Sequence, residues 1–333
     1  MKRTLSAIDL GYRGTKAISN NGRQAHFPSE VGTERKATFS LPGINQMAFV
    51  LTVDEQTWHV GETALKQSDY SSGRRDPQWI FSEPYRVLLC AALSELHKAT
   101  TSTSVVTGLP LEDYTILADR ARGVFLGEHT FKRGGRKQTV TVEDVLVVTQ
   151  PYGSLLDLAM GDTGKILDNP FSTGTVGICD IGGVTLNLLV ADNLEEVGRW
   201  TQGDGLGLLK AIDAIARDIK ANCQGFSPKT REVAAWLAQG RFPYQDKDID
   251  IAPYAKPHLE PLVETVLGRM SEVWLEPGRY SAIVLTGGGS VALGTMLKAQ
   301  MNGVYANVTI ARDPVFANVR GYLKLARRLW ELD

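Results

Sequence analysis

The stretch Asp9-Leu10-Gly11-Tyr12-Arg13-Gly14-Thr15-Lys16 closes an apolar run near the start of the chain, and Asp180-Ile181-Gly182-Gly183-Val184-Thr185 closes another near its middle. Each reads as a strand, an acidic residue at the strand's end, a glycine turn and a second strand. Such a turn exposes consecutive backbone N–H groups that can wrap phosphate oxygens. In the first, Gly11 and Gly14 would permit close approach and any positive φ. Lys16 would reach a β- or γ-phosphate as a point charge. Asp9, aimed at the crevice, would hold water on Mg²⁺. Asp180 takes the equivalent place in the second turn, and Thr185 adds a hydroxyl. Each turn alone is also an ordinary hairpin; two acidic strand ends of the same type are harder to attribute to chance.

Two further segments extend the pattern. Gly287-Gly288-Gly289-Ser290 follows the apolar strand Ala282-Thr286. Three glycines between a buried strand and a helix let a flat group, adenine or ribose, lie against backbone, and the new helix N-terminus adds positive potential. Gln150 ends the strand Val145-Thr149 and precedes Pro151. A neutral amide is no strong base, but it can orient a water for in-line attack on a γ-phosphate, or simply cap a helix.

Composition narrows the setting. A chain of 333 residues accommodates two domains with separate cores. Its 43% apolar and 22% charged residues are ordinary for a globular protein. A net charge of −1 exerts no general pull toward nucleic acid or anionic membrane. No apolar stretch reaches the ~18–20 residues needed to span a bilayer, and the apolar run after Arg3 meets Asp9 too soon for a signal-peptide core. Cys90, Cys179 and Cys223 are isolated, which fits buried thiols in a reducing cytoplasm rather than a disulfide framework. The five histidines show no ligand spacing, so no transition-metal site is expected.

Along the chain, Thr4-Leu10, Lys16-Asn20 and Arg23-Phe27 read as strands, with Asn21-Gly22 as a tight turn. Met47-Val53 and Thr57-Val60 form another hairpin. Pro84-Leu96 and Glu112-Val124 have helical spacing around the strand Ser104-Leu109. Gly134-Gly135 joins strands Thr130-Arg133 and Lys137-Val142, Val145-Thr149 is a separate strand, and a helix opened by Pro151 runs to about Leu167. The second half repeats the plan. Strands Thr175-Asp180, Thr185-Ala191 and Glu195-Trp200 precede helices over Gly205-Ala221, Thr230-Ala238 and Pro257-Trp274. Strand Ala282-Thr286, helix Val291-Met301, strand Asn307-Ile310 and a helical tail Val315-Leu332 follow. The acid-rich stretch Tyr244-Tyr254 lacks the ordered glycine and terminal Glu of a calcium loop and reads as a surface loop. The clusters Arg74-Arg75 and Arg133…Lys137 read as solvated surface, with filament contact as the alternative. Trp236, Trp274 and Trp330 read as core. The whole suggests a duplicated α/β architecture.

The order of these motifs resembles the actin/chaperone/sugar-kinase superfamily, and within it the actin-like ATPases of the ParM/StbA plasmid-segregation group and their archaeal relatives. Asp9-x-Gly11…Lys16, Gln150-Pro151, Asp180-Ile181-Gly182-Gly183-Val184-Thr185 and Thr286-Gly287-Gly288-Gly289 correspond to its first phosphate loop, connecting segment, second phosphate loop and adenosine loop. Phe27-Pro28-Ser29, Gly108-Leu109-Pro110-Leu111-x-x-Tyr114 and Gly203-Asp204-Gly205-Leu206-Gly207 are similar to further family segments. The resemblance implies a duplicated actin-like (ribonuclease H-like) α/β fold, two domains flanking a nucleotide cleft. Domain I would span 1–168 with a small subdomain at about 32–79, domain II 169–312 with one at about 205–275, and a C-terminal helix within 313–333 would return to domain I.

By the same resemblance, Asp9, Gln150 and Asp180 would surround Mg²⁺ and the attacking water. Gly11, Tyr12, Arg13, Gly14, Thr15 and Lys16, with Gly182, Gly183, Val184 and Thr185, would grip the β- and γ-phosphates. Gly287, Gly288, Gly289 and Ser290 would contact adenosine. The implied ligand is ATP with Mg²⁺; GTP stays open, because the base is held largely by backbone and pocket shape. The implied task is a cytoplasmic head-to-tail filament that segregates plasmid DNA through a DNA-bound adaptor, with no direct contact to nucleic acid or membrane. There are two departures: Gln150 stands where some relatives carry Glu, and Asn187 where many carry an acid. Two rival readings are a small-molecule kinase of the superfamily, which would need an acidic base where Gln150 stands, and a non-polymerising, ATP-switched chaperone.

Overall fold

The computed structural model describes residues 3–33, 48–68 and 77–331. The Arg74-Arg75 pair, much of the 32–79 stretch and the last residues of the helical tail lie outside them. The chain forms two compact units, Met1–Leu167 with Asn318–Asp333, and Asp168–Ala317.

The first unit begins with strands β1 (Leu5–Leu10), β2 (Gly14–Ser19), β3 (Gln24–Pro28) and β4 (Val31–Thr33). Hairpin β5 (Val50–Val53) and β6 (Gln56–Val60) leads into helices α1 (Glu62–Gln67) and α2 (Glu83–Leu96). Strand β7 (Thr101–Leu109), helix α3 (Leu111–Phe125), strands β8 (Gly127–Arg133) and β9 (Arg136–Thr149), and helix α4 (Gln150–Ala159) complete it. The strands make one sheet in the order β3-β2-β1-β7-β9-β8-β5-β6-β4. β1 runs antiparallel to β2, and β2 to β3, whereas β1–β7 and β7–β9 are parallel. Parallel central strands are covered on both faces. Accordingly, every residue of β1 is buried, and Ile8, Val105 and Val145 share a core with Val87, Leu88 and Phe125. Helix α2 starts where Ser82 Oγ accepts the Tyr85 amide and Pro84 occupies the first turn.

The second unit contains β10 (Thr175–Ile181), β11 (Leu186–Asp192), β12 (Glu195–Glu196), β13 (Gln202–Asp204), α5 (Leu209–Asn222) and α6 (Thr230–Gln239). A small hairpin, β14 (Arg241–Tyr244) and β15 (Lys247–Asp250), precedes α7 (Ala252–Val273), β16 (Ala282–Thr286), α8 (Ser290–Met301) and β17 (Val308–Ile310). The sheet order is β12-β11-β10-β16-β17, with β13 also on β11. β10–β11 and β11–β12 are antiparallel; β10–β16 and β16–β17 are parallel. This is the arrangement of β3-β2-β1-β7-β9 again: a meander of three strands, then two parallel strands added beside its first member. The last helix, α9 (Ala317–Trp330), lies from Asn318 onward in the first unit.

Several elements differ from the sequence reading. The segments 137–142 and 145–149 are one strand, β9, because a register shift between Thr103/Val142 and Ser104/Asp144 absorbs Glu143 as a bulge. Helix α4 stops at Ala159, short of Leu167. The stretch 195–200 holds only a two-residue strand, followed by a 3₁₀ turn at Gly198–Trp200. The acid-rich stretch is a hairpin: Gln245 and Asp246 take φ of 48° and 59°, the type I′ geometry usually signalled by Asn-Gly. Helix α7 begins five residues before Pro257 and continues through Pro257 and Pro261, each of which removes one helix donor. Its buried stripe of Leu259, Val263, Val266 and Met270 outweighs that loss. Trp274 is fully buried and Trp236 nearly so, whereas Trp330 is half-buried with Arg3 stacked on its ring, 5.4 Å from the centroid. Arg133 is tied to Glu95 and Ser94 and lies over Phe49, so it is not a freely solvated charge.

Candidate nucleotide-binding site

In the first unit Asp9 is the penultimate residue of β1 and only 4% exposed. The antiparallel register sets Lys16 of β2 directly opposite it. Lys16 Nζ donates to Asp9 Oδ2 at 3.2 Å, and Gln150 Nε2 donates to Asp9 Oδ1 at 3.0 Å. Gln150 arrives because β1, β7 and β9 are parallel neighbours whose C-terminal ends share one edge, and α4 starts immediately after β9. That edge is where open α/β sheets hold ligands. Thus a buried carboxylate, an ammonium and an amide 141 residues away along the chain form one cluster.

The intervening turn is braced from below. Ser29 is fully buried; its Oγ donates to Gly11 O at 2.6 Å and lies 3.0 Å from Thr15 Oγ1, and its amide donates to Arg13 O. Tyr12 stacks on Trp79 with centroids 5.3 Å apart. A Cβ on Gly11 would lie 3.2 Å from Gly14 O and 3.3 Å from Lys16 Nζ. Close approach, and not a positive φ, is therefore what favours glycine there: neither Gly11 nor Gly14 has φ > 0. In sequence, Phe27-Pro28-Ser29 is only a segment similar to one of the family's. That its serine supports the turn was invisible, because the contact depends on the β2–β3 register. Trp79 carried no sequence signal at all.

In the second unit Asp180 is likewise penultimate in its strand, β10, and 4% exposed. Asn187 of β11 stands opposite it, seven residues on, as Lys16 stands opposite Asp9. The turn is closed by Gly182 N donating to Thr185 O at 2.8 Å. Its carbonyls are taken by the start of α5: Leu208 N donates to Gly182 O and Leu209 N to Gly183 O. Asp180 also pairs in register with Thr286 of β16, which brings the third glycine run alongside. Gly287 takes φ 81°, and a Cβ there would collide with the Asp180 carboxylate and the Ile181 backbone. Gly289 N donates to Ile181 O at 2.7 Å. Ser290 is buried and turns its hydroxyl to Thr286 O, while Gly288 is exposed. Asp180, the turn 182–185 and the run 287–290 thus form one contiguous site.

A lone buried carboxylate at a strand end, taken in either unit by itself, suits a hard cation that keeps waters among its other ligands. Each unit supplies one buried carboxylate, and among the described residues no group of three or more His, Cys, Asp or Glu could hold a metal.

The repeated strand order and matched acidic strand ends are those of an actin-like fold. A family profile described as "Actin like proteins N terminal domain" matches residues 7–153, and one described as "Archaeal actin homologue MreB-like, C-terminal" matches 178–299. The chain belongs to the actin-like proteins. It is 24% identical to an archaeal actin homolog of Thermoplasma acidophilum over 333 residues, 96% of this chain and 98% of that one. Among solved structures, an archaeal actin homolog in complex with ADP superposes with a TM-score of 0.78 at 22% identity, covering 98% of this chain and 100% of the other. The 15-stranded ParM filament from Clostridium botulinum gives 0.79 at 23%, with 98% and 100% covered.

Proposed function

We propose that this protein is an ATP-driven, filament-forming actin-like protein that hydrolyses ATP with Mg²⁺ to control filament turnover, and that its filaments segregate plasmid DNA through a DNA-bound adaptor. The observation that carries this reading is the cluster Asp9–Lys16–Gln150, together with Asp180 at the matching strand position of the second unit. Mg²⁺, when bound, supplies charge neutralisation on the transferred phosphoryl oxygens. In this reading the carboxylates of Asp9 and Asp180 orient its waters. Lys16 carries positive charge to the β- or γ-phosphate, and the turn amides of 11–15 and 182–185 grip phosphate oxygens. The Gln150 amide, held by Asp9, orients the attacking water. The run 287–290 receives the adenosine. Support for assembly comes from the ParM filament of the same fold, and support for nucleotide from the ADP complex of the archaeal homolog. Head-to-tail contacts are heterologous and need not close into a ring.

Light scattering at high protein concentration tests the reading. Addition of ATP and Mg²⁺ is expected to raise scattering, followed by decay as phosphate is released. Absence of a nucleotide-dependent rise, with no phosphate released, would count decisively against it.

A further inference from the structure

Helix α9 reaches the Gln150 cluster from the far end of the chain. Its face Asn318, Gly321, Tyr322 lies on the α4 face Gln150, Gly153, Ser154, Asp157, both at i, i+3, i+4 spacing. Ser154 Oγ donates to Asn318 Oδ1 at 2.6 Å, and Arg320 and Lys324 pair with Asp157 at 2.6 and 3.0 Å. Tyr322 is fully buried, and its hydroxyl donates to the backbone carbonyl of Gln150 at 3.3 Å. Room for that hydroxyl exists only because residue 108, at the end of β7, is glycine: a Cβ there would collide with it and stand 3.3 Å from Gln150 Cα. A Cβ on Gly153 would fall 2.5 Å from the Tyr322 ring.

The start of α4 is held from outside the helix as well as from within it. Its N-cap, Thr149, makes no side-chain capping bond, and Pro151 fixes the backbone of the first turn without a loss, since an N–H there has no helical partner. The Gln150 carbonyl can take a second donor beside its helical one, through its other lone pair. Tyr322 supplies that donor, at the residue whose side-chain amide is 3.0 Å from Asp9.

We infer that Tyr322 is a positioning residue for ATP hydrolysis: its hydroxyl fixes the backbone of Gln150 so that the amide projects onto Asp9 and the attacking water. The inference rests on the proposed role of Gln150. It makes the C-terminal helix, which touches no nucleotide in this reading, part of the apparatus that sets turnover.

The test compares the parent with Tyr322→Phe, which keeps the ring and drops the hydroxyl, and Tyr322→Leu as a packing control. For the Phe variant, kcat for ATP hydrolysis is expected to fall about tenfold, with KM and Tm held at the parent's values. In the nucleotide-free Phe variant, amide hydrogen exchange over residues 152–155 should quicken. The Leu variant should also lose Tm. A Phe variant with parental kcat, or with parental exchange at the start of α4, overturns the inference while the reading of Gln150 stands. So does a kcat loss matched by a fall in Tm in the Phe variant. A parent that turns over no ATP overturns that reading and the inference with it.

Discussion

At the scale of single residues, Asp9 holds two donors with its two oxygens, Lys16 on one and Gln150 on the other. In the proposed function Lys16 exchanges part of this contact for a phosphate. A charge-assisted hydrogen bond contributes about 1.5–3 kcal/mol. Lys16→Ala should therefore weaken ATP binding roughly 10- to 100-fold by isothermal titration calorimetry; an unchanged Kd would remove Lys16 from the phosphate site. The pairing of Asp9 with Lys16 was partly legible, since a seven-residue spacing across a short turn sets opposite partners in a hairpin. The arrival of Gln150 follows from the family resemblance and not from spacing, because 141 residues separate it from Asp9 and only the β1-β7-β9 strand order joins them.

At the scale of elements, the contact between α4 and α9 depends on small residues. A Cβ on Gly153 would lie 2.6 Å from Asn318 O and 2.8 Å from its Cα, so neither helix can move aside without breaking Ser154–Asn318 or the Asp157 ion pairs. Overpacking of this kind costs about 1–3 kcal/mol. Gly153→Ala should lower the urea midpoint accordingly, while Gly134→Ala is a poor control because Gly134 has φ 55°. Gly123→Ala is the better one: no atom lies within 4 Å of a Cβ there, and helix propensity favours it. Equal midpoints for the parent and the Gly153 variant would contradict the close approach. Element types were mostly legible from apolar period and turn residues. The hairpin β14–β15 was not, because Gln245-Asp246 adopts a turn geometry those residue types seldom signal, and Pro243 argued against a strand.

At the scale of the whole molecule, stability should depend on acid through buried histidines. His97 sits at the C-terminal end of α2, with Nε2 3.0 Å from Ser6 Oγ, which in turn contacts Thr103 Oγ1. Burial, aided by the Arg23 charge, lowers its pKa to about 4. His129 donates to Phe125 O and is also shifted down by burial. A depressed histidine pKa means that the unfolded chain binds the proton first. The associated stability is thus fully present above the unfolded value of about 6.5 and is lost as pH falls toward 4, by about 3 kcal/mol for His97. Thermal melts from pH 7.5 to 4 should show this loss, and His97→Gln should flatten the slope without abolishing it, since His129 remains. Parallel slopes for the two proteins would exclude His97 as a source.

From the sequence alone came the duplicated α/β plan and the acidic strand ends, because strand period, glycine turns and motif order are local properties of the chain. The tertiary structure decided which of those residues meet. It joined Gln150 to Asp9, set Gly287 against Asp180, placed Ser29 beneath the first turn and brought α9 onto α4. All four contacts follow from strand order and helix packing, which link residues far apart along the chain and leave no periodic trace in it.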